Sequence, residues 1–178
     1  MKYIIIYSTK GGVGKSTFAK CSHLVLSLLE RRKVGGEDLD PQQHYADFLA
    51  AHSHLSTSEN ADFFIYDTQG AHTEKNAELL NAAGGVDSLI IVPVRPSSDD
   101  LKEARRITER LKHHGVMDKT VFVLNGCHHS KDYSRYIAEL KELGRVANKR
   151  INTRTAFAEV PKQKELSDFS QLLHEVVL

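Results

Sequence analysis

With 178 residues, a mass of 20.0 kDa, 40% hydrophobic and 26% charged side chains, the chain is sized for one domain, residues 1–178, with its own core, and excludes two compact units. Its 24 Lys and Arg against 23 Asp and Glu give a formal charge of +1, which excludes whole-chain attraction to nucleic acid or an anionic membrane and leaves only local patches for such binding. Cys21 and Cys127 form no CxxC pair and no apolar run approaches the ~20 residues of a membrane span, so we expect a cytoplasmic protein without cysteine-built metal sites.

The chain opens on a β-rich run, Tyr3-Ile4-Ile5-Ile6-Tyr7, that feeds at once into Lys10-Gly11-Gly12-Val13-Gly14-Lys15-Ser16-Thr17. Phe18, Cys21, His23, Leu24, Val25, Leu28 and Leu29 then predict a mostly apolar helix ending at the basic cluster of residues 30–33. Val34-Gly35-Gly36-Glu37 stands where a second strand is expected, and its two glycines predict a weak one. Further strands at 63 to 67, 88 to 94 and 120 to 125 alternate with helices near 73 to 83, 99 to 114 and 131 to 143. Pro96 and Ser97-Ser98-Asp99-Asp100 supply a loop and capping residues before the second of these helices. The alternation predicts an α/β fold, a mainly parallel twisted sheet flanked by helices on both faces.

The glycine-rich segment satisfies the phosphate-loop pattern at Gly14-Lys15-Ser16, with Thr9 in place of the first glycine. Gly11, Gly12, Val13 and Gly14 let backbone N–H groups wrap phosphate oxygens, and the positive end of the following helix faces the anion. Lys15 is expected to neutralise β and γ phosphates, Ser16 to offer a hydroxyl to Mg2+, and Thr17 to meet the α phosphate. Downstream, Asp38 and Asp40 alternate onto one side of an extended segment, both facing the metal. Asp62-Phe63-Phe64-Ile65-Tyr66-Asp67 is an apolar strand ending in an acid, the layout in which Asp67 holds Mg2+ through water.

Lys10 adds a second cation at the start of the loop. With it, residues 10–16 match KGGxGK[ST], and the chain resembles the deviant Walker A ATPases of the ParA/MinD group, closest to the small plasmid-partition type. The resemblance implies that ATP and Mg2+ are bound, and that Lys10 crosses an ATP-sandwich homodimer to the partner's nucleotide. Asp38-Leu39-Asp40-Pro41-Gln42 is similar to the family's first switch, which implies that Asp40 orients the attacking water. Thr68-Gln69-Gly70 stands at the second switch, where the family more often has small residues and proline. His44-Tyr45-Ala46 lacks the Ser or Thr usual after the D-x-D-P-Q box. Asn125, at a strand's C-terminal end, and Val160-Pro161 are placed at adenine.

The family further implies slow hydrolysis, nonspecific DNA binding by the ATP dimer, and a DNA-site-binding adaptor that stimulates turnover. Nine basic against thirteen acidic residues through position 100, and twelve against six over 101–150, put a basic footprint in the third quarter. Arg105, Arg106, Arg110, Lys112, Lys141, Arg145, Lys149, Arg150 and Arg154 are its candidates. A conjugation-associated or other cargo-positioning ATPase shares the same switch. A MinD-like membrane role is disfavoured because residues 168–178 carry no Lys or Arg. Iron–sulfur carriers of this loop type need paired cysteines, and a small-molecule ligase or kinase would not need Lys10. His113-His114 and His128-His129 are adjacent pairs that diverge by about 100° on a helix and suit no shared metal.

Overall fold

A computed structural model describes residues 1–57, 59–153 and 161–178. The apolar run after Met1 becomes β1 (Lys2–Ile6), a central strand whose Ile4, Ile5 and Ile6 are fully buried because both sheet faces are covered. Around it lie β2 (Val34–Asp38), β3 (Phe63–Asp67), β4 (Ser88–Val94), β5 (Thr120–Cys127) and β6 (Ile151–Asn152). The order is β2-β3-β1-β4-β5-β6, with every pairing parallel. The chain thus fills one side of β1 first and the other from β4 onward, and ligands bind such sheets beyond the strands' C-terminal ends at that reversal.

The helices are α1 (Lys15–Leu24), α2 (His44–Ala51), α3 (Glu74–Gly84), α4 (Ser98–His113), α5 (Ser134–Leu143) and α6 (Ser167–Val176). Side chains from α1, α2 and α6 pack with Ile4, Ile6, Ile65 and Ile91 on one face. Those from α3, α4 and α5 pack with Ile5, Tyr7, Ile90 and Val92 on the other. Alternation along each strand generates both cores. Phe169 of α6 meets Phe18 of α1 edge-to-face at 4.9 Å, a geometry that adds about 0.5–1.5 kcal/mol to the area buried. The expected caps before α4 are present, with Ser97 Oγ accepting from the Asp100 N–H.

Two local features differ from the sequence expectation. The apolar helix after the phosphate loop continues from α1 as a π-helical turn, Val25–Leu29, before the basic cluster. The glycine-rich β2 forms fully along β3, and its glycines are there for contact. A Cβ on Gly36 would lie 2.3 Å from the Tyr45 hydroxyl, so only glycine lets α2 lie this close to the edge strand.

Candidate nucleotide site

The phosphate loop turns through left-handed backbone at Gly12 (φ 73°) and Gly14 (φ 96°), conformations that glycine adopts freely. Gly14 caps α1 without a side-chain hydrogen bond, and the first turn of α1 holds no acidic residue. The leading N–H groups of α1 are therefore available to an anion. Lys15 is 6% exposed, and its ammonium lies 3.5 Å from the Lys10 carbonyl. Burial holds Lys15 below the usual lysine range, against the opposing pull of Asp67, Asp40 and Asp38.

A cleft of about 520 Å³ is lined by Gly11, Gly12, Gly14, Lys15, Ser16 and Thr17 from the loop and α1, by Asp40, Pro41, Gln42 and His44 after β2, and by Gln69 and Gly70 after β3. Three segments far apart in sequence thus share one cavity. Asp40 ties two of them together: Oδ1 accepts from the Gln42 N–H at 3.0 Å and Oδ2 from the Gly70 N–H at 3.4 Å. Val13 is buried, and its carbonyl accepts from the Asn125 amide nitrogen at 2.7 Å, so Asn125 braces the loop from β5. Pro161 is buried; Val160 and Arg154 lie outside the described residues.

The two expected metal carboxylates have opposite surroundings. Asp38 Oδ1 accepts from the Asp40 N–H at 2.9 Å, while Oδ2 accepts from the N–H groups of Tyr45 (2.8 Å) and Ala46 (3.1 Å), capping α2. Asp67 is wholly buried, and neither of its oxygens has a hydrogen-bond partner among the described residues. Burial pushes Asp67 up to about 7; the nearby Ser16 hydroxyl, short of a formed hydrogen bond, opposes this, and the Asp38 charge adds to it. An orphaned buried carboxylate beside a hydroxyl and an ammonium suits Mg2+, which takes one or two protein oxygens and completes its shell with phosphate and water. Among the described residues, no group of three or more His, Cys, Asp or Glu could hold a metal alone, so phosphate oxygens would have to complete any such site.

Lys10 points away from the cleft. Its Nζ pairs with Asp100 Oδ2 at 2.9 Å, and Asp100, 5% exposed, also accepts from the Ser97 hydroxyl. One residue earlier, the Thr9 hydroxyl donates to Glu103 of α4. The substitution of Thr9 for the first glycine of the pattern is therefore a side-chain anchor, and the loop enters through a double tie to α4. Sequence reasoning missed both ties; Thr9 itself, departing from the pattern, was the signal.

The basic footprint is largely engaged with neighbours. Arg105 pairs with Glu139, Arg106 with Glu103, Lys112 with Glu109 and Lys149 with Asp168. Arg150 lies 5.5 Å from the Tyr133 ring centre, and one Arg110 nitrogen is buried without a partner among the described residues. The exposed pair Lys112–Glu109 is worth about 1 kcal/mol or less, whereas the Asp168 partner of Lys149 is buried. Lys141 and Arg145 are exposed. A cavity of about 640 Å³ lies apart from the phosphate loop, between α4 and α5, and includes Arg95, His128, Lys131 and Tyr133. Both thiols are buried and pushed up by burial, Cys21 to about 12 and Cys127 to about 11, in keeping with packing roles.

Residues 4–168 match the CobQ/CobB/MinD/ParA nucleotide binding domain. The chain belongs to that family. No curated protein sequence matches it. Solved structures share the fold of this ParA/MinD-family chain at low identity. A candidate plasmid partition protein of Borrelia burgdorferi B31 bound to AMPPNP superposes with TM-score 0.79 at 14% identity, over 97% of each chain. Apo McdA of Cyanothece gives 0.71 at 20%, over 99% of this chain and 98% of that one. The MinD cell division protein of Aquifex aeolicus gives 0.65 at 17%, over 98% and 97%. The family fold, a parallel sheet with helices on both faces, is the one expected from the sequence.

Proposed function

We propose that this ParA/MinD-family chain is a slow, Mg2+-dependent ATP hydrolase of the partition type. Two copies enclose two ATP molecules, and Lys10 of each reaches the nucleotide held by the other. The dimer holds DNA nonspecifically, and a DNA-site-binding adaptor stimulates hydrolysis and release, moving a plasmid or similar DNA. The carrying observation is the meeting of Gly11, Gly12, residues 14–17, Asp40 and Gly70 in one cleft, with Asp67 unsatisfied close enough to Lys15 to perturb it. The AMPPNP-bound partition relative supports the choice of nucleotide and of cargo class.

Within this reading, the N–H groups of the loop and of the first turn of α1 bind phosphate oxygens, and Lys15 neutralises the β and γ charge. Ser16 and Asp67 hold Mg2+, which supplies further charge neutralisation at the γ phosphate. Asp38 backs them by fixing the turn that presents Asp40. Asp40 orients the attacking water, and in-line positioning is most of what phosphoryl transfer asks of a protein. Asn125 and Pro161 border the base. Lys10 must leave Asp100 to act across an interface. The apolar face of α6 is spent on the core, where Phe169, Leu172, Leu173 and Val176 are buried.

Sedimentation of the full chain with ATP, ADP and no nucleotide, with and without nonspecific DNA at two salt concentrations, tests the reading. A dimer is expected with ATP alone, and its DNA binding is expected to weaken with salt. A single-chain mass under every condition would overturn it. Lys15→Ala is expected to weaken a fluorescent ATP analogue about a hundredfold, and unchanged affinity removes Lys15 from the phosphate site. Asp40→Ala is expected to keep ATP-dependent dimers while hydrolysing about a hundredfold more slowly; normal turnover would take Asp40 out of the chemistry.

A further inference from the structure

His23 lies in α1 two turns beyond the phosphate loop, fully buried, and carries two hydrogen bonds. Its Nε2 is 3.0 Å from the Leu55 carbonyl and its Nδ1 is 2.9 Å from the Tyr45 hydroxyl. A carbonyl only accepts, so the ring proton sits on Nε2, and Nδ1 is left to accept from the Tyr45 O–H. Burial holds the imidazole below its usual range, so the ring is neutral and these two contacts hold it in one tautomer.

Tyr45 is equally buried and bound at both ends. Its ring stacks on Phe48 with centroids 6.0 Å apart, its hydroxyl sits over Gly36, and its backbone N–H donates to Asp38. Asp38 in turn receives the Asp40 N–H. A continuous chain of contacts thus runs from α1 through His23, Tyr45 and Asp38 to Asp40. Neither His23 nor Tyr45 lines the cleft. The Ser or Thr usual in this region of the family is absent, and the phenol at the second helical position of α2 ties that helix to α1.

We propose that His23 and Tyr45 are positioning residues, whose buried hydrogen bond sets the Asp40 carboxylate against the Lys15–Ser16 end of α1. The inference rests on the hydrolytic reading above and deepens it. The carboxylate and the phosphate loop belong to different elements, and α1 carries one of them directly. A water-orienting group displaced by about 1 Å loses up to a hundredfold in rate, so a single bond between helices is enough to set turnover. Loss of this bond leaves the loop N–H groups and Lys15 untouched, so nucleotide affinity is unaffected.

Tyr45→Phe and the double variant His23→Leu/Tyr45→Phe, made in the full chain, test this. Tyr45→Phe strands the Nδ1 lone pair, whereas the double variant removes both partners, a change that is nearly neutral for stability. Leu55 lines a cavity of about 440 Å³, so in the double variant water is expected at its carbonyl in place of the imidazole. The expected result has three parts. ATP-analogue affinity stays within about twofold in both variants, and kcat falls about tenfold in both while the thermal midpoint returns in the double variant. Hydrogen exchange at residues 40, 42, 45 and 46 also quickens in both, with residues 11–17 unchanged.

Recovery of kcat together with the midpoint would reduce the bond to a packing role and overturn the proposal. Unchanged exchange over 40–46 would overturn it as well. The exchange readout needs no hydrolysis. A wild-type chain that binds ATP without turning it over would sink the hydrolytic reading, while quickened exchange in the variants would still uphold the tie to Asp40.

Discussion

Asp38 and Asp67 are register partners at the C-terminal ends of β2 and β3, one strand spacing apart, yet they live in opposite electrostatic worlds. Asp38 receives three backbone N–H groups and is a structural cap with its lone pairs mostly spoken for. Asp67 receives none from the described residues and is sealed from water. A buried carboxylate left without partners is costly, and a fold keeps one where something outside the chain completes it. The contrast separates two aspartates that look alike in the sequence, and on the proposed reading the unsatisfied one takes the cation.

The sharpest way to break this comparison is to neutralise each aspartate in turn. Asp67→Asn is expected to stabilise the nucleotide-free chain by a few kcal/mol at pH 8 while removing Mg2+-dependent tightening of ATP binding. A thermal midpoint that falls, or an unchanged Mg2+ dependence, would contradict the assignment. The pH profile gives the second-largest effect. Asp67 titrates at about 7 when folded against 3.8 when unfolded, so the folded chain holds an extra proton between those values. Its contribution to stability is complete below about pH 4 and declines as pH climbs through 7, by about 1.4 kcal/mol per pH unit at most. Denaturant melts of wild type and Asp67→Asn should converge near pH 4 and part above it. The smallest effect is expected from Asp38→Ala, which removes the cap of α2 and costs about 1–2 kcal/mol. Mg2+-dependent tightening survives in that variant, and its loss would mean that Asp38 shares the ion.

Much of this arrangement is legible in the sequence where the signal is local. Residues 63 to 67 and 88 to 94 read as strands with the observed limits, because continuous apolar runs between turn residues suit strands buried on both faces. The phosphate loop and the acid closing β3 are equally local. Legibility fails where a residue's reason lies far along the chain. Gly35 and Gly36 look like strand-weakening residues until Tyr45 and Phe64 are seen packed against them. The short α2 escapes notice because its cap is Asp38, six residues ahead, across a left-handed Gln43. Thr9–Glu103 and Lys10–Asp100 span some ninety residues, a distance at which no pattern of spacing speaks.

The grip of Asp100 on Lys10 has a bearing on how copies meet. On the proposed reading, the ammonium meant for a neighbour is already occupied at home, so an encounter between two chains without triphosphate offers nothing better than what must be given up. On the same reading, the denser negative charge of an intact γ phosphate is what would outbid a single carboxylate. The pair would then act as a discriminator: a chain holding diphosphate would stay solitary, and assembly would report the state of the nucleotide rather than its mere presence.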